Sequence, residues 1–261
     1  MNKTIFRTTL KMWCSSAGII SLCGLYFLCL LGYSVCNILF TEWQIVEPTY
    51  VNTFFLLPFI FALGTGIIGK DISSGVLSTV FSRPIARTKY VMAKWLALSV
   101  ATSAIAVALA LCEQAIVSVT YLNMPDVNLF TTIAERISLC FGLSATMVSL
   151  SSLFAGNKNM VVWCVLFGGM FVLMQLATAL PSMYFGSYFS LAWMAQFTPI
   201  VKSIGEFTTS ICLPWLDMTM VANTLVPSAA TILGYSFTVF LMLTIAIWRM
   251  NNLEVSYAQQ Q

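Results

Sequence analysis

Long stretches without a single ionisable side chain limit this chain more than any other feature. Charge is absent from Met12 to Thr41, from Pro48 to Gly69 and from Trp95 to Cys112. It is absent again from Ile137 to Asn157, from Asn159 to Val201 and from Met218 to Trp248. A helix that crosses the hydrocarbon of a bilayer needs roughly 20 apolar residues, and these windows supply them. With 59% hydrophobic and only 8% charged residues, the chain is far from the soluble norm of about 25% charged. A water-soluble globule could not cover its surface with the polar groups present. Disorder needs the opposite composition, low hydrophobicity with high charge.

Several chemistries are excluded early. The chain contains no histidine, which removes the Ser-His-Asp triad, the Cys-His dyad and histidine metal sites. Of the eight cysteines, all but Cys212 fall in or beside apolar runs, and none forms a CxxC pair. Buried apolar thiols are the reading, with no disulfide framework and no metal site expected. A membrane-embedded enzyme would need several ionisable groups at membrane depth, and Glu113 alone lies well inside an apolar window. The first apolar run is about twice the 7–15 residues of a signal peptide, and Leu22, Leu28 and Val35 precede Cys23, Cys29 and Cys36 where a lipoprotein site needs a small residue. It reads as a retained helix.

The windows predict an all-α integral membrane protein, one transmembrane domain over 1–261. Its six spans fall near 16–40, 51–69, 93–121, 137–154, 160–180 and 229–248. With the N-terminus inside, Lys3, Arg7, Lys11, Lys70, Arg83, Arg87, Lys89, Lys94, Lys158 and Arg249 are cytoplasmic, leaving only Arg136 and Lys202 outside. Basic residues concentrate on the cytoplasmic side of membrane proteins, so both termini are placed in the cytoplasm. Lys3, Arg7 and Lys11 recur every four residues in the segment 1–14. That spacing suits a short helix on the inner membrane surface, and it equally suits a simple topology signal. The outer segment 181–228 holds Pro181, Pro199, Pro214 and Pro227 yet stays rich in large apolar residues. Short helices in the outer leaflet or over the bundle are expected there.

The cytoplasmic segment 70–94 is the most informative. Ser73 and Ser74 are positioned to cap a short helix with an apolar face of Val76, Leu77, Val80 and Phe81. Arg83-Pro84 ends that helix, because proline disfavours helical geometry in the residue before it. A short amphipathic helix between two spans suits either a lipid surface or a groove on another protein. Asp71, Gly75, Ser82, Arg83, Pro84, Ile85, Arg87 and Lys94, in this order, resemble the inner loop of ABC-2 type ABC transporter permeases. Six spans, a basic N-terminal segment, an inner turn at Gly156-Asn157-Lys158-Asn159 and an apolar outer segment extend the resemblance along the whole chain.

That resemblance implies a permease subunit of an ATP-driven exporter in the plasma membrane, the inner membrane of a bacterium or archaeon. The loop would act as a coupling helix docking a separate ATP-binding subunit, with Asp71, Gly75, Leu77, Phe81, Arg83, Pro84 and Arg87 as coupling residues. The chain has no GxxxxGK[ST] phosphate loop, so no cofactor is expected in it, and ATP with Mg belongs to the partner. A second permease chain, identical or not, would complete the pathway, and lipids would surround it. Hydrolysis in this chain itself is not expected. A non-transporting sensor or assembly factor coupled to an ATPase fits the same loop. Asp71 also reads as a helix-start charge favoured by the macrodipole.

Four residues are pathway candidates. Glu113 lies ~28 Å along a helix from Lys94 at ~1.5 Å per residue, near the outer interface, with Gln114 beside it. A gating role and an interhelix hydrogen bond both suit that pair. Pro58 interrupts the second span ahead of Gly64, Gly66 and Gly69, which suggests a bend, a dimer contact or plain packing. Ser149 belongs to a polar seam with Ser144, Thr146, Ser151 and Ser152, suited to interhelix hydrogen bonds or to a pore lining.

Overall fold

A computed structural model describes residues 3–15, 20–21, 24–29, 31–32, 35–36, 56–82, 85–120, 129–179, 214, 216 and 225–253. All regular structure among them is helical. The elements are α1 (Lys3–Ser15), α2 (Leu57–Gly64), α3 (Gly69–Ser73), α4 (Val76–Phe81), α5 (Arg87–Thr120), α6 (Leu129–Leu153), α7 (Lys158–Ala179) and α8 (Leu225–Asn252). Three of these helices are long and apolar enough to cross a membrane: α5 over Arg87–Ala115, α6 over Leu129–Leu153 and α8 over Ala229–Asn252. Of the first expected span, only fragments between residues 20 and 36 are described, all helical. The outer segment 181–228 is described only at Pro214, Leu216 and the start of α8.

The helices overrun the charge-free windows. α5 begins at Arg87 rather than near 93, and α6 begins at Leu129 rather than near 137. α8 begins at Leu225 and runs through Pro227. The proline is tolerated there because first-turn N–H groups have no intrahelical partner to lose.

α6 is the centre of the assembly, packed against α2, α3, α5, α7 and α8. Its buried side chains include Gly142, Ser144, Ala145, Thr146, Ser149, Ser151 and Ser152. Small residues let neighbouring backbones come close where apolar driving force between helices is weak. The polar seam expected on this span is thus turned inward among helices. Of the three long helices α6 is the most enclosed and α8 the least, and α8 leaves Leu233, Phe237, Phe240 and Trp248 exposed. The core joins Phe59, Ile60 and Ile68 to Leu98, Leu109, Leu143 and Met147.

α1 explains its own four-residue spacing. Thr9 and Trp13 are buried and Ile5 half-buried, one turn apart along a single face, and the helix packs on α5. Lys3, Arg7 and Lys11 share the opposite, exposed face. The apolar stripe thus faces protein, and the cationic stripe faces outward.

The second expected span is not one continuous helix. α2 ends at Gly64, and the chain turns through Thr65–Ile68 before α3. Pro58 does not cause the break. It lies in the first turn of α2, where proline needs no hydrogen-bond partner, and it is exposed. The turn instead uses Gly66 at φ +66°, a left-handed conformation that costs an L-residue roughly 1–2 kcal/mol.

Candidate functional site

The segment that resembles a coupling loop forms two short helices joined by one glycine. α3 closes with the Ser74 N–H donating to the Lys70 carbonyl at 2.9 Å. Gly75 then takes φ +70° and serves as the N-cap of α4. Ser73 and Ser74 therefore do not cap α4. The Ser73 hydroxyl donates to the Lys70 carbonyl at 3.1 Å, and Ser74 is the C-cap of α3. The left-handed joint separates them from the second helix. A Cβ at Gly75 would meet nothing within 4 Å, so this corner stands clear of the bundle. Val76 is 44% exposed beside it, while Leu77 is buried inside.

Three charged side chains of the loop, Asp71, Arg87 and Lys94, are held by the bundle. The Asp71 carboxylate receives Lys94 Nζ at 2.9 Å and also accepts from the Tyr90 hydroxyl. Lys94 lies 5.6 Å from the Tyr90 ring centroid, a cation–π distance. Phe81 packs edge-on against Tyr90 at 5.6 Å, and the Arg87 guanidinium sits 5.5 Å over Phe81. Asp71 keeps 23% of its side chain exposed, and both contacts fall on one carboxylate oxygen, Oδ2.

Arg87 also closes the last helix. Its Nη1 donates to the carbonyls of Met250, Asn251 and Leu253 at 2.8, 2.7 and 3.2 Å. The last carbonyls of a helix have no intrahelical partner and carry the negative end of its dipole, so a guanidinium there is doubly favoured. Arg87→Ala is expected to destabilise the fold by about 1–2 kcal/mol and to fray the last turn of α8 selectively. Hydrogen exchange near residues 248–253 checks this; unchanged protection there would refute the capping role.

The break between α2 and α3 is anchored on α6 and α7 by side chains. The Gly66 N–H donates to Asn159 Oδ1 at 3.1 Å, and Asn159 Nδ2 donates to the Gly64 carbonyl at 3.2 Å. Ser151 Oγ accepts from both Ile68 N–H at 2.9 Å and Gly69 N–H at 2.8 Å. The Gly156 N–H donates to the Gly69 carbonyl at 2.8 Å. Thr65, Ile67 and Lys70 donate to the carbonyls of Phe61, Gly64 and Gly66. Every N–H from Thr65 to Lys70 thus has a partner. Buried backbone that leaves a helix needs partners of this kind for its polar groups.

A second cluster lies toward the other end of α5. Arg136 Nη2 donates to Glu113 Oε2 at 2.7 Å, with side chains 1% and 2% exposed. Arg136, expected on the outer side, is buried between α5 and α6 as the partner of Glu113. The reason is that α6 starts earlier than the charge-free window and carries Arg136 into the bundle. Gln114 is half-buried next to this pair. Nearby, the Leu216 N–H donates to Ser138 Oγ at 3.0 Å and the Tyr235 hydroxyl to the Ser138 carbonyl at 2.7 Å. A Cβ on Gly142 would come within 2.9 Å of Pro214 Cγ. Pro214 and Leu216 therefore dock on α6.

Of the residues singled out from the sequence, Asp71, Leu77, Phe81 and Arg87 converge on one end of the bundle. Arg83 and Pro84 lie outside the described residues. Ser149 is buried on α6, its carbonyl accepting from Ser152 Oγ at 2.6 Å. Tyr90, Arg136 and Asn159 were not singled out. A tyrosine one turn before Lys94, an arginine at a span edge and an asparagine in a turn carry no distinctive spacing, though the Gly64–Gly69 glycines do point to a close approach. What the cluster can do is mechanical: it ties α3 and α4 to α5, α3 to α6, the turn before α3 to α7, and α5 to α8. No protein-family model matches the chain, and no curated protein matches it.

Proposed function

We propose that this chain is the membrane-spanning permease subunit of an ATP-driven exporter of the ABC-2 type. Six spans with both termini cytoplasmic would place it in the plasma membrane of a bacterium or archaeon. The 70–94 segment is its coupling element, received by a separate ATP-binding subunit that supplies ATP and Mg. A second permease chain completes the pathway.

The observation that carries this reading is the α3–α4 corner. It combines the described motif residues between Asp71 and Lys94 with an exposed Gly75–Val76 tip whose base is held to α5 by Asp71 and to α6 by Ser151. A tip that only covered lipid would not need such a base; one that receives force from a partner does. The closeness of Gly69 to Gly156 and of Arg87 to the end of α8 also agrees with 70–94, the 154–159 turn and the C-terminal end sharing one side.

The test is affinity purification of the full chain from its native membrane. An ATP-hydrolysing protein is expected to accompany it, and Val76→Asp is expected to reduce its recovery about tenfold or more by placing an unpaired charge in an apolar contact. The variant should still insert, since Val76 is exposed. Absence of any ATPase from the wild-type preparation would overturn the proposal. ATPase recovery without substrate-stimulated turnover in proteoliposomes would favour a non-transporting sensor or assembly factor.

A further inference from the structure

We infer that Ser151 and Asn159 are positioning residues that carry displacement of the α3–α4 corner into α6 and α7. The mechanical part stands on the geometry alone, and only its use in transport rests on the function proposed above.

The chain reaches the corner from two directions. On one side α5 follows α4 after residues 82–86, with its Tyr90 and Lys94 held by Asp71. On the other side α2 does not continue into α3, because the helix stops at Gly64 and the turn 65–68 intervenes. A break of this kind would ordinarily uncouple α3 from the helices behind it. Here it is bridged sideways. One hydroxyl, Ser151 Oγ, collects two successive N–H groups at the first turn of α3. One carboxamide, on Asn159, spans the break by accepting from Gly66 and donating to the Gly64 carbonyl. Ser151 lies at the end of α6 and Asn159 at the start of α7.

Space as well as polarity is committed to this arrangement. A Cβ on Gly69 would fall 2.6 Å from the Phe154 carbonyl oxygen and against that of Gly156. The backbones of α3 and of the α6–α7 turn therefore touch without intervening side chains. Both bridging side chains are buried, Ser151 and Asn159 at 0% exposure, so water does not compete for these bonds. The consequence is one unit made of α3, the turn 65–68, the end of α6 and the start of α7, held by buried hydrogen bonds. Displacement of α4 would then be passed to α6, the helix that packs against most others in the fold.

Hydrogen–deuterium exchange on the full chain in lipid nanodiscs tests the mechanical part. Ser151→Ala is expected to raise exchange at the amides of residues 68 and 69 about tenfold, and Asn159→Ala at residue 66, by removing buried acceptors. Ser151→Thr, which keeps the hydroxyl, should recover protection, and amides in the middle of α5 should not change. Equal exchange at 66–69 in wild type and both alanine variants would overturn the inference. So would a rise spread evenly over the whole chain.

The transmission part is read with the copurified ATPase. Ser151→Ala and Asn159→Ala are expected to retain the ATPase while losing about tenfold of its substrate-stimulated rate. Stimulation unchanged despite faster local exchange would overturn transmission through α6 and α7. A wild-type chain that recovers no ATPase would count against the permease reading, leaving the exchange result to decide the latch by itself.

Discussion

Removing either member of the Glu113–Arg136 pair is expected to destabilise the bundle by about 3–5 kcal/mol. Both side chains are almost wholly enclosed, and the bond between them is 2.7 Å long. Glu113→Ala takes the buried carboxylate away from the Arg136 guanidinium, and Arg136→Ala takes the guanidinium away from the buried Glu113. Ionisable groups at this depth are tolerated when paired. Replacing both partners by apolar side chains, as in Glu113→Leu with Arg136→Met, removes the two desolvation costs together and is often neutral. The double variant is therefore expected to be more stable than either single variant. Reversible unfolding in mixed micelles titrated with dodecyl sulfate measures all three. Single variants within about 0.5 kcal/mol of wild type, the range of an ordinary surface change, would show that the pair is not holding the two helices.

The second large effect is expected at Gly69. Its missing side chain is what allows α3 to lie against the turn between α6 and α7. The atoms that an added Cβ would strike are the backbone carbonyls of Phe154 and Gly156, which cannot rotate aside as a side chain can. Gly69→Ala is expected to cost about 3 kcal/mol, the upper part of the usual range for overpacking. It should also break the Gly156–Gly69 hydrogen bond of 2.8 Å. Gly75 supplies the control. It has a left-handed φ, +70°, which Gly69 lacks, and open space around it, so Gly75→Ala carries only the conformational penalty of roughly 1–2 kcal/mol. The same micelle titration ranks them. A Gly75 variant less stable than the Gly69 variant would contradict the close backbone approach.

Much of the helical layout is legible before any coordinates, for a simple reason. Burial in an apolar surround filters composition residue by residue, and a run such as Trp95 to Cys112 leaves its mark however the chain later packs. α5, α6 and α8 were therefore expected close to where they lie, with ends misplaced by several residues. The ends were misjudged because charge-free windows record where ions are excluded, not where helical hydrogen bonding stops. Arg87, Lys94 and Arg136 sit inside helices, each carrying its charge to a partner from another element.

Partners distant in sequence were not legible. Asp71 could be placed at a helix start, yet its pairing with Tyr90 and Lys94 depends on α5 folding back over α3. Pro58 stood out in the second span for a bend, a dimer contact or plain packing, but the break at 65–68 is not its doing, since it lies in the first turn of α2. The bend belongs to Gly66, whose positive φ no spacing rule discloses.

Sequence by itself determined that this chain is helical, apolar and fit for a membrane, with its charges kept out of long apolar windows. Those properties are sums over local side-chain chemistry. The tertiary structure alone decided where the second span breaks, which charges are neutralised inside, and which serine and asparagine bridge the break. Each of these is a contact between residues tens of positions apart, and its existence depends on backbone geometry that local composition does not encode.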